Sequence, residues 1–207
     1  MDPDVIRAWT AEERRRAAAD LRIIADEAWD EPSLCAGWRC RDVLGHLVWL
    51  AERTRAGVFL DVMRTVRPPN SAIRRIGTRM GDRPPEELLD RLDAAAEGRF
   101  HLPGTGPEVA LAEVLTHRAD ITRVTDGPTR SSDERTATAV DAYRQLWWYF
   151  GLPRAVHGAR LVATDAGWAV GPEGGPEIRG PGQSLLVAIA GRRSARPELH
   201  GAVELLG

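Results

Sequence analysis

Apolar residues recur at helical spacing over roughly the first 150 residues, with polar and charged residues on the opposite faces. Proline and glycine clusters interrupt this pattern and mark where helices end. The pattern predicts five helices, over Val5–Ala28, Arg41–Arg64, Glu86–Phe100, Glu108–Val124 and Asp133–Phe150. The arginine-rich stretch from Arg67 to Pro85 is interpreted as a basic connection, with a short helical turn from Ile73 to Ile76.

The period of the pattern changes after Gly151. Short alternating runs between glycine and proline predict strands over Arg160–Thr164, Gly167–Gly171, Glu177–Gly180 and Ala202–Leu206, with a helix from Pro181 to Ala190. Helices first and strands second indicate two segregated domains. We therefore expect an α+β, mainly α fold, with a helical bundle over residues 1–152 and a small α+β domain over residues 158–207.

The composition is that of a globular protein, since 43% of the residues are hydrophobic and 28% are charged. No apolar run approaches the ~18 residues that span a bilayer, and the acidic start Met1-Asp2-Pro3-Asp4 is not a signal peptide. We expect no membrane association and a cytoplasmic location. The net charge of −2 gives no reason to expect nucleic acid as a partner. All 28 residues in the Lys+Arg count are arginine, which excludes a lysine Schiff base.

The two cysteines, Cys35 and Cys40, do not form a recognisable motif. Two are too few for a disulfide framework, and their spacing is not the Cys-x-x-Cys of redox and zinc sites. We therefore interpret both as reduced, small hydrophobic side chains near the start of the second helix.

The fourth helix carries two polar residues inside its apolar face. On a helical wheel, Glu113 and His117 lie among the apolar residues, whereas Arg118 lies on the arginine-bearing side. A carboxylate in an apolar face is strongly unfavourable unless it is paired or coordinated. From these residues alone, a buried Glu–His hydrogen bond, a Glu–Arg pair and a metal site all remain open.

His46 lies at the edge of the apolar stripe of the second helix, one turn before Leu50, and can point toward the bundle interior. Such a histidine is either a satisfied core residue or a ligand. A His from one helix and a Glu/His pair four residues apart on a facing helix are how helical bundles hold metal ions. Three N/O ligands leave coordination positions free, as in catalytic sites, and suit zinc, nickel or another divalent ion.

Two segments together resemble the metal-binding motifs of the mycothiol-dependent maleylpyruvate isomerase family. The first, Pro32–Leu47, contains PSLCAGW followed by RDVLGHL, and the second, Leu111–Ile121, is LAEVLTHRADI. Further on, Arg160–Asp165 and Leu185–Arg192 resemble the small C-terminal domain of that family, which is similar to a sterol-carrier fold. The resemblance implies a DinB-like, metal-binding four-helix bundle followed by this domain.

The resemblance also implies roles for individual residues. His46, Glu113 and His117 correspond to the metal ligands of the family. Asp120, one turn beyond His117, is either a partner that orients an imidazole or a surface acid. Arg192 corresponds to a position proposed to meet an anionic substrate, and is otherwise a solvated arginine.

The chain departs from the family pattern at Arg39, where family members usually have Ser or Thr. An arginine side chain cannot accept a hydrogen bond. We therefore expect no capping box between Arg39 and Asp42, and a weaker start of the second helix.

The function that the resemblance implies is a divalent-metal-dependent isomerase or S-transferase. Its thiol cosubstrate would be mycothiol and its partner a small electrophilic molecule, with zinc the first candidate metal. Two alternatives remain open. One is a metal-dependent hydrolase of the thiol-conjugate amidase type, with Asp120 as its candidate general base. The other is a non-catalytic metal-binding sensor or ligand-binding protein.

Overall fold

The computed structural model describes residues 1–54, 57, 60, 69–102, 104–128 and 131–207. The chain divides into two compact units, Met1–Thr129 and Arg130–Gly207. Most of the predicted continuation of the second helix from residue 53 to Arg64 lies outside the described residues. None of the helices in the described ranges is long and apolar enough to cross a membrane.

The first unit is helical. Its described α-helices are α1 (Pro3–Leu21), α2 (Cys40–Glu52), α3 (Pro69–Gly81), α4 (Pro85–Ala94) and α5 (Pro107–Thr122), with a 3₁₀ turn over Asp26–Asp30. α1 and α2 each pack against both α4 and α5, so these four helices form a closed bundle around one apolar core. α3 packs against the outside of this bundle, on α2.

The interpretation of residues 67–85 as a basic connection is wrong, because α3 occupies most of this stretch. Ile73, Ile76 and Met80, spaced as on one helical face, pack against a core cluster of Trp49, Leu50 and Phe100. The arginines lie between these positions and hid the pattern. Close packing on α2 depends on glycine: a Cβ atom on Gly45 would lie 2.6 Å from the backbone nitrogen of Gly81.

The start of α2 is better supported than Arg39 led us to expect. The Asp42 carboxylate accepts a hydrogen bond from the Arg39 backbone N–H at 3.0 Å, which is one half of a capping box. The guanidinium of Arg39 donates to the same carboxylate at 2.9 and 3.1 Å. A Ser or Thr hydroxyl would accept a hydrogen bond at this position. The arginine instead stabilises the start of the helix through a charge-assisted pair with Asp42.

The helical wheel placed Arg118 on the arginine-bearing side of the fourth helix, but this side is not exposed to solvent at Arg118. Residues 114–122 of α5 are all buried, because α1 and α2 both pack against this helix. Arg118 Nη1 donates to Glu13 on α1 at 3.1 Å, and both side chains are fully buried. A buried guanidinium with a bonded carboxylate satisfies both charges.

The second unit contains a four-stranded sheet with the order β2-β1-β3-β4, in which β1 and β3 are parallel and the other pairs antiparallel. Its strands are β1 (Arg160–Ala163), β2 (Ala169–Val170), β3 (Glu177–Gly180) and β4 (His200–Gly201), and its helices are α6 (Asp133–Gln145) and α7 (Gly182–Ile189). The predicted α+β, mainly α class is confirmed.

One prediction about this unit differs from the structure. The strand predicted over Ala202–Leu206 is wrong: Gly201, with a φ of 87°, ends β4, and a 3₁₀ turn over Val203–Leu206 follows. α6 packs against α7, so it groups with residues 130–207 rather than with the helical unit. That residues 1–152 and 158–207 fold separately stays a prediction.

Candidate metal centre

His46 on α2 meets Glu113 and His117 on α5. One carboxylate oxygen of Glu113, Oε2, lies 3.5 Å from Nε2 of His46 and 3.3 Å from Nε2 of His117. The three ligand atoms all lie within 4.8 Å of one another. Two imidazole nitrogens and a carboxylate oxygen are donors that a borderline divalent ion accepts together. The residues that the sequence predicts as ligands therefore fit such an ion.

Aromatic side chains surround the histidines. The ring of His46 lies 5.0 Å from Trp38 and 5.9 Å from Trp49, measured between ring centroids. The ring of His117 lies 4.9 Å from His46 and 6.1 Å from Trp38. Both histidines are buried, and 16% of the Glu113 side chain remains exposed. Access to the cluster is therefore from the side of Glu113.

The charges of the cluster support one another. Burial alone would raise the pKa of Glu113, but hydrogen bonds with His117 and His46 outweigh it and hold this pKa well below its usual range. Burial would lower the pKa of His117, but hydrogen bonds with Asp120 and Glu113 raise it to about 8. The cluster thus favours an ionised carboxylate, the form that binds cations. A proton on His117 must leave before that imidazole coordinates an ion.

Asp120 lies on the far side of His117. Its Oδ2 is 2.8 Å from Nδ1 of His117, and the side chain is fully buried, which excludes the interpretation as a surface acid. A carboxylate on Nδ1 fixes the tautomer that leaves the lone pair of Nε2 toward Glu113. This geometry is that of a positioning residue.

Cys35 also lies beside this cluster, which the sequence did not predict. Its sulfur, a ring nitrogen of His117 and a carboxylate oxygen of Asp120 lie within 4.8 Å of one another, and Cys35 is half-buried. Cys35 is far from His117 in sequence and forms no motif with it, so no local spacing could indicate their contact. The interpretation of Cys35 as a simple small hydrophobe does not describe this environment.

Arg192 belongs to the second unit, where it follows α7. Its backbone N–H donates to the carbonyl of Val187 at 2.9 Å, and its guanidinium donates to the carbonyl of Ala190. The structure thus brings four of the five predicted site residues together in the first unit: His46, Glu113, His117 and Asp120. The role of Arg192 stays a prediction.

A narrow apolar pocket reaches Glu113 from the surface. Its walls are Leu47, Leu50, Phe100, Leu102, Val109 and Val114, together with Arg14 and His101. An adjacent cleft of about 300 Å³ shares Phe100, His101 and Ala110 with it. Nη1 of Arg14 donates to the carbonyls of Ala96 and Gly98 at 2.9 and 2.6 Å. These acceptors are neutral, so the guanidinium remains a cation in the wall of the pocket, which the Glu113 carboxylate also lines.

Residues 10–101 match the family model described as "Mycothiol maleylpyruvate isomerase N-terminal domain". The predicted resemblance to the mycothiol maleylpyruvate isomerases is thereby confirmed. The matched residues include His46, whereas Glu113 and His117 lie beyond them.

Two solved structures are similar to nearly the whole chain. A crystal structure of the mycothiol-dependent maleylpyruvate isomerase has a TM-score of 0.59 at 14% identity, covering 98% of this chain and 93% of that one. A mutant of the mycothiol-dependent maleylpyruvate isomerase has a TM-score of 0.58 at 13% identity, with the same coverage of 98% and 93%. At these identities the likeness shows the fold, and it confirms the predicted class. No curated protein matches this chain.

Proposed function

We propose that this protein is a divalent-metal-dependent enzyme that uses mycothiol, or a closely similar small thiol, to isomerise or conjugate a small electrophile. One observation carries the proposal: His46, Glu113 and His117 form a buried cluster of donor atoms within 4.8 Å of one another. It occurs in a chain whose residues 10–101 match the mycothiol maleylpyruvate isomerase N-terminal domain.

Zinc is the first candidate for the ion and nickel the second, since both accept imidazole and carboxylate ligands. His46, Glu113 and His117 would hold it. A bound divalent ion supplies a positive charge that favours the thiolate form of a thiol. Three protein ligands are the number found in catalytic zinc sites, whereas structural sites use four.

Other residues of the first unit would prepare the site for this chemistry. Asp120 holds the Nδ1 proton of His117 and so keeps Nε2 available. Trp38 and Trp49 cover the ring of His46 and exclude water from that side. Water exclusion strengthens every electrostatic interaction inside the cluster.

The apolar pocket beside Glu113 would admit the substrate. The Arg14 guanidinium in its wall suits an electrophile that carries a carboxylate, such as an unsaturated keto acid. Burial lowers the pKa of Arg14 to about 10, so the guanidinium remains a cation at neutral pH. Arg192 remains a second candidate contact for an anionic substrate, because the family resemblance implies this role.

The hydrolase alternative is less well supported. It needs a general base that reaches water, and Asp120, its candidate from the sequence, is fully buried and bonded to His117. A ligand-binding or sensor role would use the same donor atoms. Only a measurement of turnover distinguishes this role from that of an enzyme.

The proposal is tested by measuring turnover of maleylpyruvate and of a generic alkylating electrophile with zinc-loaded protein. Activity should require both mycothiol and the metal, and a chelator should abolish it. His46→Ala should lose this activity, whereas His200→Ala, which changes an exposed histidine of β4, should keep it. Product formation without thiol would favour the hydrolase, and no turnover with any electrophile would favour the sensor.

A further inference from the structure

The loop that precedes α2 is fastened to α5 beside the metal cluster. The backbone N–H of Leu34 donates to the carbonyl of Asp120 at 3.1 Å, and the N–H of Trp38 donates to the carbonyl of Cys35 at 3.0 Å. The hydroxyl of Ser33 accepts from the N–H of Cys35 at 3.2 Å. Cys35 therefore has a fixed backbone, and its thiol lies beside His117 and Asp120.

We propose that Cys35, His117 and Asp120 form a second metal-binding set, which takes a thiophilic ion. Its three ligand atoms lie within 4.8 Å of one another, the same limit that the first set meets. Thiolate, imidazole and carboxylate are the donors of Cys-containing metal sites, and a soft thiolate selects soft ions. The first set, His46, Glu113 and His117, has no sulfur and suits harder ions.

The two sets compete for one residue. Nδ1 of His117 faces Asp120 at 2.8 Å, whereas Nε2 faces Glu113 at 3.3 Å. A neutral imidazole has a lone pair on one ring nitrogen and a hydrogen on the other. His117 can therefore serve the second set through Nδ1 or the first set through Nε2, but not both. A thiophilic ion in the second set withdraws a ligand from the first.

Cadmium is a suitable probe, because a cadmium–thiolate bond absorbs in the ultraviolet. Titration of the metal-free, full-length protein with Cd²⁺, under a non-thiol reductant, should give an absorption that saturates at one ion per chain. Cys35→Ala should remove it, and Cys35→Ser should remove most of it. Cys40→Ala is the matched control and should keep it, since Cys40 is fully buried and burial raises its thiol pKa to about 11.

Variants of the other ligands separate the two sets. Asp120→Asn should weaken Cd²⁺ binding, whereas Glu113→Gln should leave the absorption unchanged, because Glu113 belongs to the first set only. Protein loaded with Cd²⁺ should then take up less Mn²⁺ than the metal-free protein. Three results would each overturn the proposal: an absorption that survives in Cys35→Ala, its loss in Glu113→Gln, or full binding of both ions at once.

Discussion

The hydrogen bond between His117 and Asp120 allows the effect of Asp120→Asn on metal binding to be predicted in numbers. It is 2.8 Å long and lies between two buried side chains. A charge-assisted hydrogen bond contributes about 1.5–3 kcal/mol and is roughly twice as strong as a neutral one. Asp120→Asn keeps the shape and removes the charge, so it should cost about 1.4 kcal/mol of metal binding, or about tenfold in Kd.

Proton competition makes this loss depend on pH. Since the pKa of His117 is about 8, roughly nine in ten metal-free chains carry its proton at pH 7, which weakens apparent metal binding by about tenfold. In Asp120→Asn this pKa should fall toward its ordinary value of about 6.5, and most of that competition disappears. The two effects should nearly cancel at pH 7, leaving about a tenfold loss at pH 9.

The assay is a titration with Mn²⁺ under anaerobic conditions, with the free ion followed by electron paramagnetic resonance. Mn²⁺ prefers oxygen and nitrogen donors, so it reports on the set without sulfur. Asp90→Asn, which changes an exposed carboxylate that pairs with Arg22, should match the wild type at both pH values. Equal Kd values for Asp120→Asn and wild type at pH 9 would refute the reasoning.

Three further predictions concern the stability of the helical unit. The fold raises the pKa of His117 to about 8, so protonation of this residue stabilises the folded state. This stabilisation is complete below about pH 6.5 and is lost as the pH rises through 8. Urea unfolding of the metal-free protein should therefore show a loss of about 2 kcal/mol in the free energy of unfolding by pH 9. Arg118→Met removes the guanidinium that pairs with the buried Glu13 carboxylate and should lower the free energy of unfolding by about 3–5 kcal/mol. Gly45→Ala brings a Cβ against the backbone of Gly81 and should cost about 1–3 kcal/mol and disturb metal binding at the adjacent His46.

Each of these predictions has a matched comparison. His117→Ala should remove the decline in stability above pH 6.5, and a decline that persists there would assign it to other groups. Glu97→Gln breaks an exposed pair with Arg15 and should change stability by less than about 1 kcal/mol. Gly158→Ala adds a Cβ with no atom within 4 Å, so a cost equal to that of Gly45→Ala would contradict the packing argument.

The proximity of Glu113 and His117 was predictable because helix geometry makes it a local property. Glu113 and His117 are four residues apart and must lie on one face, and a carboxylate on an apolar face indicates a partner. The sequence also places His46 near the bundle interior. The family motifs then indicated that His46 lies beside Glu113 and His117, which periodicity alone could not indicate.

The features that escaped prediction depend on tertiary contacts. A wheel assumes that a helix has one solvent face, so it could not predict the burial of Arg118 against Glu13. The close packing of α3 on α2 relies on glycines, which carry no hydrophobic signal. Cys35 approaches His117 because the loop that contains it is hydrogen-bonded to α5. No spacing along the sequence indicates this contact.

The central claim is that His46, Glu113 and His117 hold one divalent ion. It is tested most directly by anomalous scattering from a crystal of the zinc-loaded protein, measured on both sides of the zinc absorption edge. We expect one strong peak at about 2.0–2.2 Å from Nε2 of both histidines and from a carboxylate oxygen of Glu113. The same crystal form of His46→Ala should show a weaker peak or none. A zinc peak away from these three residues, or none in the wild-type protein, would contradict the claim.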